Sequence, residues 1–217
     1  MTKTRVLCVV GSESGTAKRG IQRIVDKHWK SKAKSFEVVD VVDGNKVSDL
    51  AKLREVCDVV LIATSSYGDG EAPDNFASFY NALVTASKSG DKPLNGLQHA
   101  VLGFGSTIYD TFQNCPRISD KMLGECGSRR LAMRAELDDL AEESHEEQAE
   151  CIRWRDEVFK VLEKLPKPDA APACDWSQPA SQIKVHEEMG AAPMMIGAIF
   201  ATIVAAGAAY YFVYSPA

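Results

Sequence analysis

Between Arg5 and Leu165, short apolar runs rich in Val, Ile and Leu alternate with longer stretches in which apolar residues recur at helical spacing. The short runs predict strands at Arg5–Gly11, Phe36–Val42, Asp58–Thr64, His99–Gly105 and Arg130–Glu136. The longer stretches predict helices at Thr16–Ser31, Ser48–Val56, Asn75–Ala86, Phe112–Glu125 and about Ser144 to Leu165. Strands that alternate with helices in this way indicate an α/β domain with a parallel sheet.

The predicted strands carry few polar positions. The run from Asp58 to Ala63 is apolar at nearly every residue, as expected of a strand that is covered on both faces. Helices should therefore pack on each side of a doubly wound, five-stranded parallel sheet with the strand order 2-1-3-4-5. Such a sheet binds its ligand beyond the carboxyl ends of strands 1 and 3, so the loops after strands 1, 3 and 4 form the candidate site.

The loop after strand 1 is small, rich in hydroxyl groups and followed directly by a helix. Its candidate ligand-binding residues are Ser12, Glu13, Ser14, Gly15, Thr16 and Ala17. Serine and threonine hydroxyls together with free N–H groups at a helix N-terminus suit a phosphate. The loop fits neither the P-loop nor the dinucleotide fingerprint, and no lysine reaches in, which favours the phosphate monoester of a resident cofactor. Taken alone, the same residues could equally form a helix cap.

The loops after strands 3 and 4 combine glycines with aromatic residues. The candidate residues are Ser66, Tyr67, Gly68, Asp69 and Gly70 in the first, and Gly105, Ser106, Tyr109 and Phe112 in the second. Glycine permits close approach of the backbone to a ligand, and a tyrosine offers a flat face to a fused ring. Two tyrosines from separate loops could hold a planar ring between them.

These three loops resemble those of the flavodoxins, and in particular of the FMN domains of diflavin reductases such as cytochrome P450 reductase and sulfite reductase. The matching segments are Gly-Ser-Glu-Ser-Gly-Thr-Ala, Ser-Tyr-Gly-Asp-Gly-Glu-Ala-Pro-Asp-Asn and Phe-Gly-Ser-Thr-Ile-Tyr-Asp-Thr-Phe. The likeness extends through Trp154 and Arg155 and so covers nearly all of Arg5 to Leu165. It implies a flavodoxin-like domain over residues 4–165 that binds FMN.

The resemblance also implies a role for each loop. Residues 12–17 would hold the FMN phosphate, Tyr67 and Tyr109 would flank the flavin ring, and the Gly68 peptide would lie at flavin N5. The relatives place an acidic residue near the flavin after strand 5, and both Asp138 and Asp139 are candidates for it. Two departures stand out: Ser14 replaces a frequent Thr, and Ser106 replaces a frequent Asn or Asp, which leaves the contacts of that loop open.

Charge and composition narrow the function. The 217 residues carry a net charge of −5, which speaks against nucleic acid as a partner. The six cysteines are dispersed without metal-ligand spacing, so we expect free thiols and no metal site. No catalytic side-chain pairing stands out, and no catalytic residue is assigned. The acidic run at 136–150 is either a solvated helix face or a docking surface for a basic partner.

The C-terminal part of the chain predicts a membrane anchor. Residues 166–189 are rich in Pro and Ala and predict an extended linker, and residues 190–214 contain no charged side chain over a length that can span a bilayer. The alternative is a buried core helix. We expect a single-pass, tail-anchored protein of the endoplasmic reticulum membrane, with the head in the cytosol, because no Lys or Arg follows the predicted span.

The favoured function is that of a membrane-anchored FMN electron carrier of low potential. After Leu165 the sequence shows no FAD or NADPH module, so we expect a separate NAD(P)H-dependent reductase as donor. The expected acceptor is a membrane redox enzyme of haem or desaturase type. The alternatives are an FMN-dependent NAD(P)H:quinone-type oxidoreductase and a flavin-free interaction module on the same scaffold.

Overall fold

The computed structural model describes residues 3–165 of the chain. Its strands are β1 (Thr4–Gly11), β2 (Phe36–Asp43), β3 (Val59–Ser65), β4 (Gln98–Gly105), β5 (Arg129–Arg130) and β6 (Ala135–Asp138). They form one sheet in the order β2-β1-β3-β4-β5, with β6 also pairing with β4, and every pairing is parallel. The doubly wound sheet and its strand order were predicted correctly from the sequence.

The predicted fifth strand, Arg130–Glu136, is two short strands in the structure. β5 pairs with the first residues of β4 and β6 with its last residues. The Leu131 N–H still donates to the His99 carbonyl of β4 at 2.7 Å, and residues 132–134 then leave the ladder. In that interval Arg134 turns its guanidinium to the carboxylates of Asp120 and Glu136, at 2.7 Å from each. The single-strand prediction was wrong because the chain leaves β4 after this first pairing and rejoins it only at Ala135.

The helices are α1 (Thr16–Arg23), α2 (Leu53–Val56), α3 (Ala77–Ser89), α4 (Asn114–Glu125) and α5 (Ala149–Leu162). A π-helical segment, Ile24–Trp29, continues α1, and short 3-10 turns at Leu50–Lys52 and Asp74–Phe76 precede α2 and α3. Four predicted starts were too early: α2, α3, α4 and α5 begin after the predicted Ser48, Asn75, Phe112 and Ser144. The 3-10 turns lie where the first residues of α2 and α3 were predicted. Phe112 lies outside α4 because Gln113 has φ 61°, which a right-handed helix cannot include. Ser144 lies outside α5 because Gln148, just before α5, holds the preceding turn by a 2.7 Å bond to the Asp138 carbonyl.

Hydrophobic side chains cover the two faces of the sheet alternately. In β1, Val6, Cys8 and Val10 face one core with α1 and α5, whereas Leu7 and Val9 face the other with α2, α3 and α4. The first core contains Trp29 and Trp154 stacked with their ring centroids 6.1 Å apart. Five cysteines of the described part are buried and free, as expected: Cys8, Cys57, Cys115, Cys126 and Cys151. Burial raises the pKa of Cys8 to about 12, so this thiol is a core group rather than a nucleophile.

The membrane helix in the predicted fold class is corrected. Over residues 3–165, no helix has both the length and the apolar character that a bilayer crossing needs. The longest, α5, has 14 residues and would reach about 21 Å against a hydrocarbon core of about 30 Å, and it carries Arg153 and Lys160. The linker predicted at 166–189 and the span predicted at 190–214 lie outside the described residues. The predicted domain limits and the predicted cellular location stay predictions.

Candidate functional site

Four loops leave the sheet at one level, at the carboxyl ends of the strands. The pairs at the ends of the ladders are Gly11 with Thr64, Ser65 with Phe104, and Gly105 with Asp138. We call the segments that follow loop 1 (11–17), loop 2 (65–75), loop 3 (105–113) and loop 4 (138–148). Since they start from adjacent strands at the same height, they form one continuous surface at this carboxyl edge.

Loop 1 wraps around the start of α1. Gly15 is the N-cap residue of this helix, with φ 77°, and it makes no side-chain cap bond. The hydroxyls of Ser14 and Thr16 lie 2.9 Å apart on the outer side of the loop. Ser12 points inward instead, and its hydroxyl accepts the Ala17 N–H at 3.3 Å. The loop therefore presents backbone N–H groups and two hydroxyls outward, which are the groups that bind a phosphate.

Loop 2 is a tight turn that lifts Tyr67 into solvent. The Tyr67 N–H donates to the Glu71 carbonyl at 3.0 Å, and the Glu71 N–H returns a 2.8 Å bond to the Tyr67 carbonyl. Between them Gly68 and Gly70 have φ of 50° and 96°, a conformation that favours glycine. Tyr67 is 55% exposed as a result. Ser66 faces the protein, where its hydroxyl accepts the Cys115 N–H at 3.0 Å.

Loop 3 places the second tyrosine in solvent. Tyr109 is 64% exposed, and its N–H donates to the Ser106 carbonyl at 3.2 Å. The Ser106 hydroxyl accepts the Ile108 N–H at 3.4 Å, so Ser106 closes the turn that the sequence had left open. Phe112 is half-buried and packs against Gly105, where an added Cβ would lie 3.2 Å from its ring. Phe112 thus anchors the loop that carries Tyr109.

Asp138 and Asp139 in loop 4 have different surroundings. The Asp138 carboxylate accepts the Leu140 N–H at 3.0 Å and the Thr107 hydroxyl at 2.7 Å, and these bonds lower its pKa. Asp139 is exposed, and one of its oxygens lies 2.7 Å from Nε2 of His145. Asp138 therefore ties loop 4 to loop 3, and Asp139 is the freer carboxylate. Which of them lies near the flavin stays open.

Side-chain hydrogen bonds join the loops to one another. Asn75 in loop 2 accepts the Ser12 N–H at 2.8 Å, and Glu13 in loop 1 accepts the Asp74 N–H at 2.6 Å. Asn114 donates to the Gly70 carbonyl at 3.2 Å and so ties loop 2 to the start of α4. Loop 1, loop 2 and the start of α4 are therefore held as one unit.

Two groups of residues in the site are not evident from the sequence pattern. Asn75 acts on Ser12 across 63 positions, and Thr107 acts on Asp138 across 31, so no local spacing could reveal either contact. Arg19 was missed although a signal existed, because it lies four residues after Gly15 and thus one helical turn away. Its guanidinium turns back to loop 1, where the prediction had considered only the absence of a lysine.

The structure also contains a serine–histidine–aspartate arrangement that the sequence did not suggest. His99 has Nδ1 2.9 Å from the Ser128 hydroxyl and Nε2 3.2 Å from the Asp120 carboxylate. All three residues are buried, and His99 lies at the amino end of β4, opposite the four loops. Because no substrate reaches this arrangement, it connects β4, α4 and β5 structurally and is not a hydrolytic centre.

The carboxyl edge fits FMN in its donor groups and its aromatics. A helix start with two adjacent hydroxyls suits one phosphate, and Tyr67 and Tyr109 expose flat faces on the loops beside it. Large aromatic side chains that are more than half exposed on neighbouring loops point to a ligand surface.

The comparison with known proteins decides the family. The sequence profile described as Flavodoxin matches residues 9–154. The chain belongs to the flavodoxin family.

Individual relatives agree with this assignment. The chain is 33% identical to methionine synthase reductase of Caenorhabditis elegans over 139 residues, which are 63% of this chain and 19% of the relative. It is 28% identical to NADPH–cytochrome P450 reductase of Aspergillus terreus over 171 residues, 75% of this chain and 24% of the relative. This flavodoxin therefore spans about a fifth to a quarter of the length of these curated reductases.

The solved structures agree on the fold. Oxidised flavodoxin 1 of Bacillus cereus superposes with a TM-score of 0.58 at 22% identity, covering 72% of this chain and 98% of that protein. The resemblance to the FMN domains of diflavin reductases and FMN as the cofactor are thus confirmed, and the chain is an FMN electron-transfer domain related to those reductases. The roles of single residues toward FMN stay predictions.

Proposed function

We propose that this flavodoxin carries electrons from a separate NAD(P)H-dependent reductase to a redox enzyme of haem or desaturase type. The observation that supports this most directly is the pair of exposed tyrosines, Tyr67 and Tyr109, beside the phosphate loop. A flavin held by loops at the surface can be approached by partner proteins. The relative from Aspergillus terreus is named as an NADPH–cytochrome P450 reductase, which fits a reductase as donor.

In this proposal each loop has one task. The N–H groups and hydroxyls of loop 1 hold the FMN phosphate, and Tyr67 and Tyr109 hold the ring by stacking. FMN supplies the chemistry, since it takes up and releases electrons one at a time. The exposed carboxylates of Asp69 and Asp139 place negative charge around the ring and disfavour a reduced flavin that is itself negative. A low reduction potential follows.

The test uses the full chain, purified and reconstituted with FMN. We expect a yellow protein with one FMN per chain. NADPH alone should not bleach its flavin. Adding an NADPH-dependent flavoprotein reductase that lacks its own FMN domain should bleach it, and ferric cytochrome c should then restore the colour. Rapid bleaching by NADPH alone would indicate the quinone-reductase alternative. A colourless chain that cannot be reconstituted would indicate a flavin-free module.

A further inference from the structure

Arg19 folds back from α1 onto the loop that precedes the helix. One terminal nitrogen donates to the Ser14 carbonyl at 3.0 Å, and the other donates to the Thr16 hydroxyl at 3.2 Å. A Cβ added at Gly15 would lie 3.0 Å from Nη1 of Arg19. The guanidinium therefore lies directly over Gly15, at the mouth of loop 1.

Among the residues that the structure describes, Arg19 has no carboxylate partner, unlike the other basic residues of the same helical segment. Lys18 pairs with Asp43 at 3.1 Å, and Arg23 and Lys27 both pair with Glu146, at 2.9 and 3.2 Å. Within the part of the chain that the structure describes, Arg19 forms no ion pair, and its hydrogen bonds go to neutral oxygens. Its positive charge is thus uncompensated at the loop that presents N–H groups and hydroxyls to solvent.

Arg19 also fixes the direction of a hydroxyl. A guanidinium can only donate, so the Thr16 oxygen accepts from Arg19 and the Thr16 proton points elsewhere. The Thr16 and Ser14 hydroxyls share one hydrogen bond, which uses one of their two protons. The other proton is left to donate outward. This arrangement prepares a donor for an anionic oxygen beside a positive charge.

The carboxylates near Arg19 explain why its positive charge affects the binding of an anion. Arg19 and Thr16 form one side of a cleft of about 500 Å³ whose other side carries Glu142 and Glu143 of loop 4. These carboxylates repel an anion, and the whole chain is negative. Arg19 offsets that repulsion at the position where the phosphate of FMN would bind.

We propose that Arg19 binds the FMN phosphate and makes the site select FMN over riboflavin, which lacks the phosphate. The inference rests on FMN binding at the carboxyl edge, as in the proposed function. Riboflavin has the same ring and the same sugar chain. The ring contacts of Tyr67 and Tyr109 treat both ligands alike, and only loop 1 and Arg19 distinguish them.

The test titrates the flavin-free full chain with FMN and with riboflavin and follows quenching of flavin fluorescence. Arg19→Gln should weaken FMN binding by about tenfold, the scale of one charge-assisted hydrogen bond, and leave riboflavin affinity within about twofold. The salt dependence of FMN binding should become shallower in this variant. Arg19→Lys, which retains the charge without the paired donors, should recover part of the loss.

The control is Arg23→Gln, which removes the same charge one turn further along α1 from a side chain that pairs with Glu146. The change in the logarithm of the FMN dissociation constant should be less than about a third of the change in Arg19→Gln. Equal losses in both variants, or equal losses of FMN and riboflavin in Arg19→Gln, would overturn the inference. So would unchanged FMN affinity in Arg19→Gln. A wild-type chain that binds no FMN would overturn the proposed function instead.

Discussion

Tyr67 and Tyr109 have more than half of their surface in water, on turns that glycines and backbone hydrogen bonds make narrow. If they stack on the flavin ring, each contact contributes about 0.5–1.5 kcal/mol beyond burial. We therefore expect Tyr67→Ala and Tyr109→Ala each to weaken FMN binding by at least that amount and to restore part of the quenched flavin fluorescence. Titration of the flavin-free chain with FMN measures both effects.

Ile108 supplies a matched control for Tyr109. It is the preceding residue in loop 3, it is 68% exposed, and it has no aromatic face. Ile108→Ala should leave the fluorescence quenched. If both tyrosine variants remained as quenched as the wild type, neither ring would lie at the flavin, and the ligand surface would have to be placed elsewhere on the carboxyl edge.

At the scale of elements, buried charges hold α4 against β4 and β5. Burial lowers the pKa of His99, although the hydrogen bond to Asp120 opposes this, so His99 is neutral at neutral pH. Burial acts to raise the pKa of Asp120, but His99 and Arg130 outweigh it and bring the pKa to about 2. Asp120 therefore stays ionised through the range in which histidines titrate.

This arrangement predicts a loss of stability in mild acid. The unfolded chain binds a proton at His99 below pH about 6.5, and the folded chain does not, so the stability is present above that pH and falls below it. Urea unfolding followed by circular dichroism should show a falling midpoint between pH 7 and pH 5. The contribution of Asp120 is retained there, because it is lost only below about pH 4.

Two variants distinguish the contributions of His99 and His28 to the pH dependence of stability. His99→Gln should be less stable than wild type at pH 7, because it disturbs buried hydrogen bonds, but its midpoint should change less with pH. His28 has a pKa that slight burial and Arg155 also lower, so His28→Gln is the control and should keep most of the pH dependence. A wild-type midpoint that stays level from pH 7 to pH 5 would rule out the neutral buried histidine.

The sequence predicted those elements whose signal is local. β1, β3 and β4 are covered on both faces, and their apolar runs place them within one residue of the observed ends. The start of α5 was predicted too early because Gln148 fixes the turn before it by bonds to the backbone of Asp138, a contact that no periodicity shows. The candidate site divides in the same way: Ser14, Thr16 and the two tyrosines were evident from loop composition, whereas Asn75 depends on a distant partner.

At the scale of the whole molecule, the acidic run at 136–150 is less uniform than its sequence suggests. Glu136 pairs with Arg117 and Arg134, Glu146 with Arg23 and Lys27, and Glu150 with Arg153. Glu142 and Glu143 are exposed beside the cleft at loop 4. The two interpretations of the run therefore apply to different residues, and Glu142 and Glu143 are the ones suited to dock a basic partner.

We expect electron transfer from the reduced chain to cytochrome c, a basic haem protein, to slow as salt is added, since screening acts over about 10 Å at 0.1 M. Replacing Glu142 and Glu143 by Gln should lower the association rate roughly twofold to fivefold and flatten the salt dependence. Stopped-flow mixing over a range of concentrations separates association from the transfer step. Glu150→Gln, which removes a carboxylate paired with Arg153, should behave as wild type. Rates that ignore salt would count against docking at loop 4.

The bonds from loop 1 to Asp74 and Asn75 have a thermodynamic consequence for the two ends of the cofactor. Loop 1 would receive the phosphate and loop 2 one face of the ring, yet Ser12 and Glu13 bind loop 2 directly. If the phosphate makes loop 1 more rigid, these bonds make part of loop 2 more rigid as well, and the two ends of FMN would then bind with positive cooperativity. Such a coupling is reciprocal: the ring end changes the binding free energy of the phosphate end by the same amount as the phosphate end changes that of the ring end.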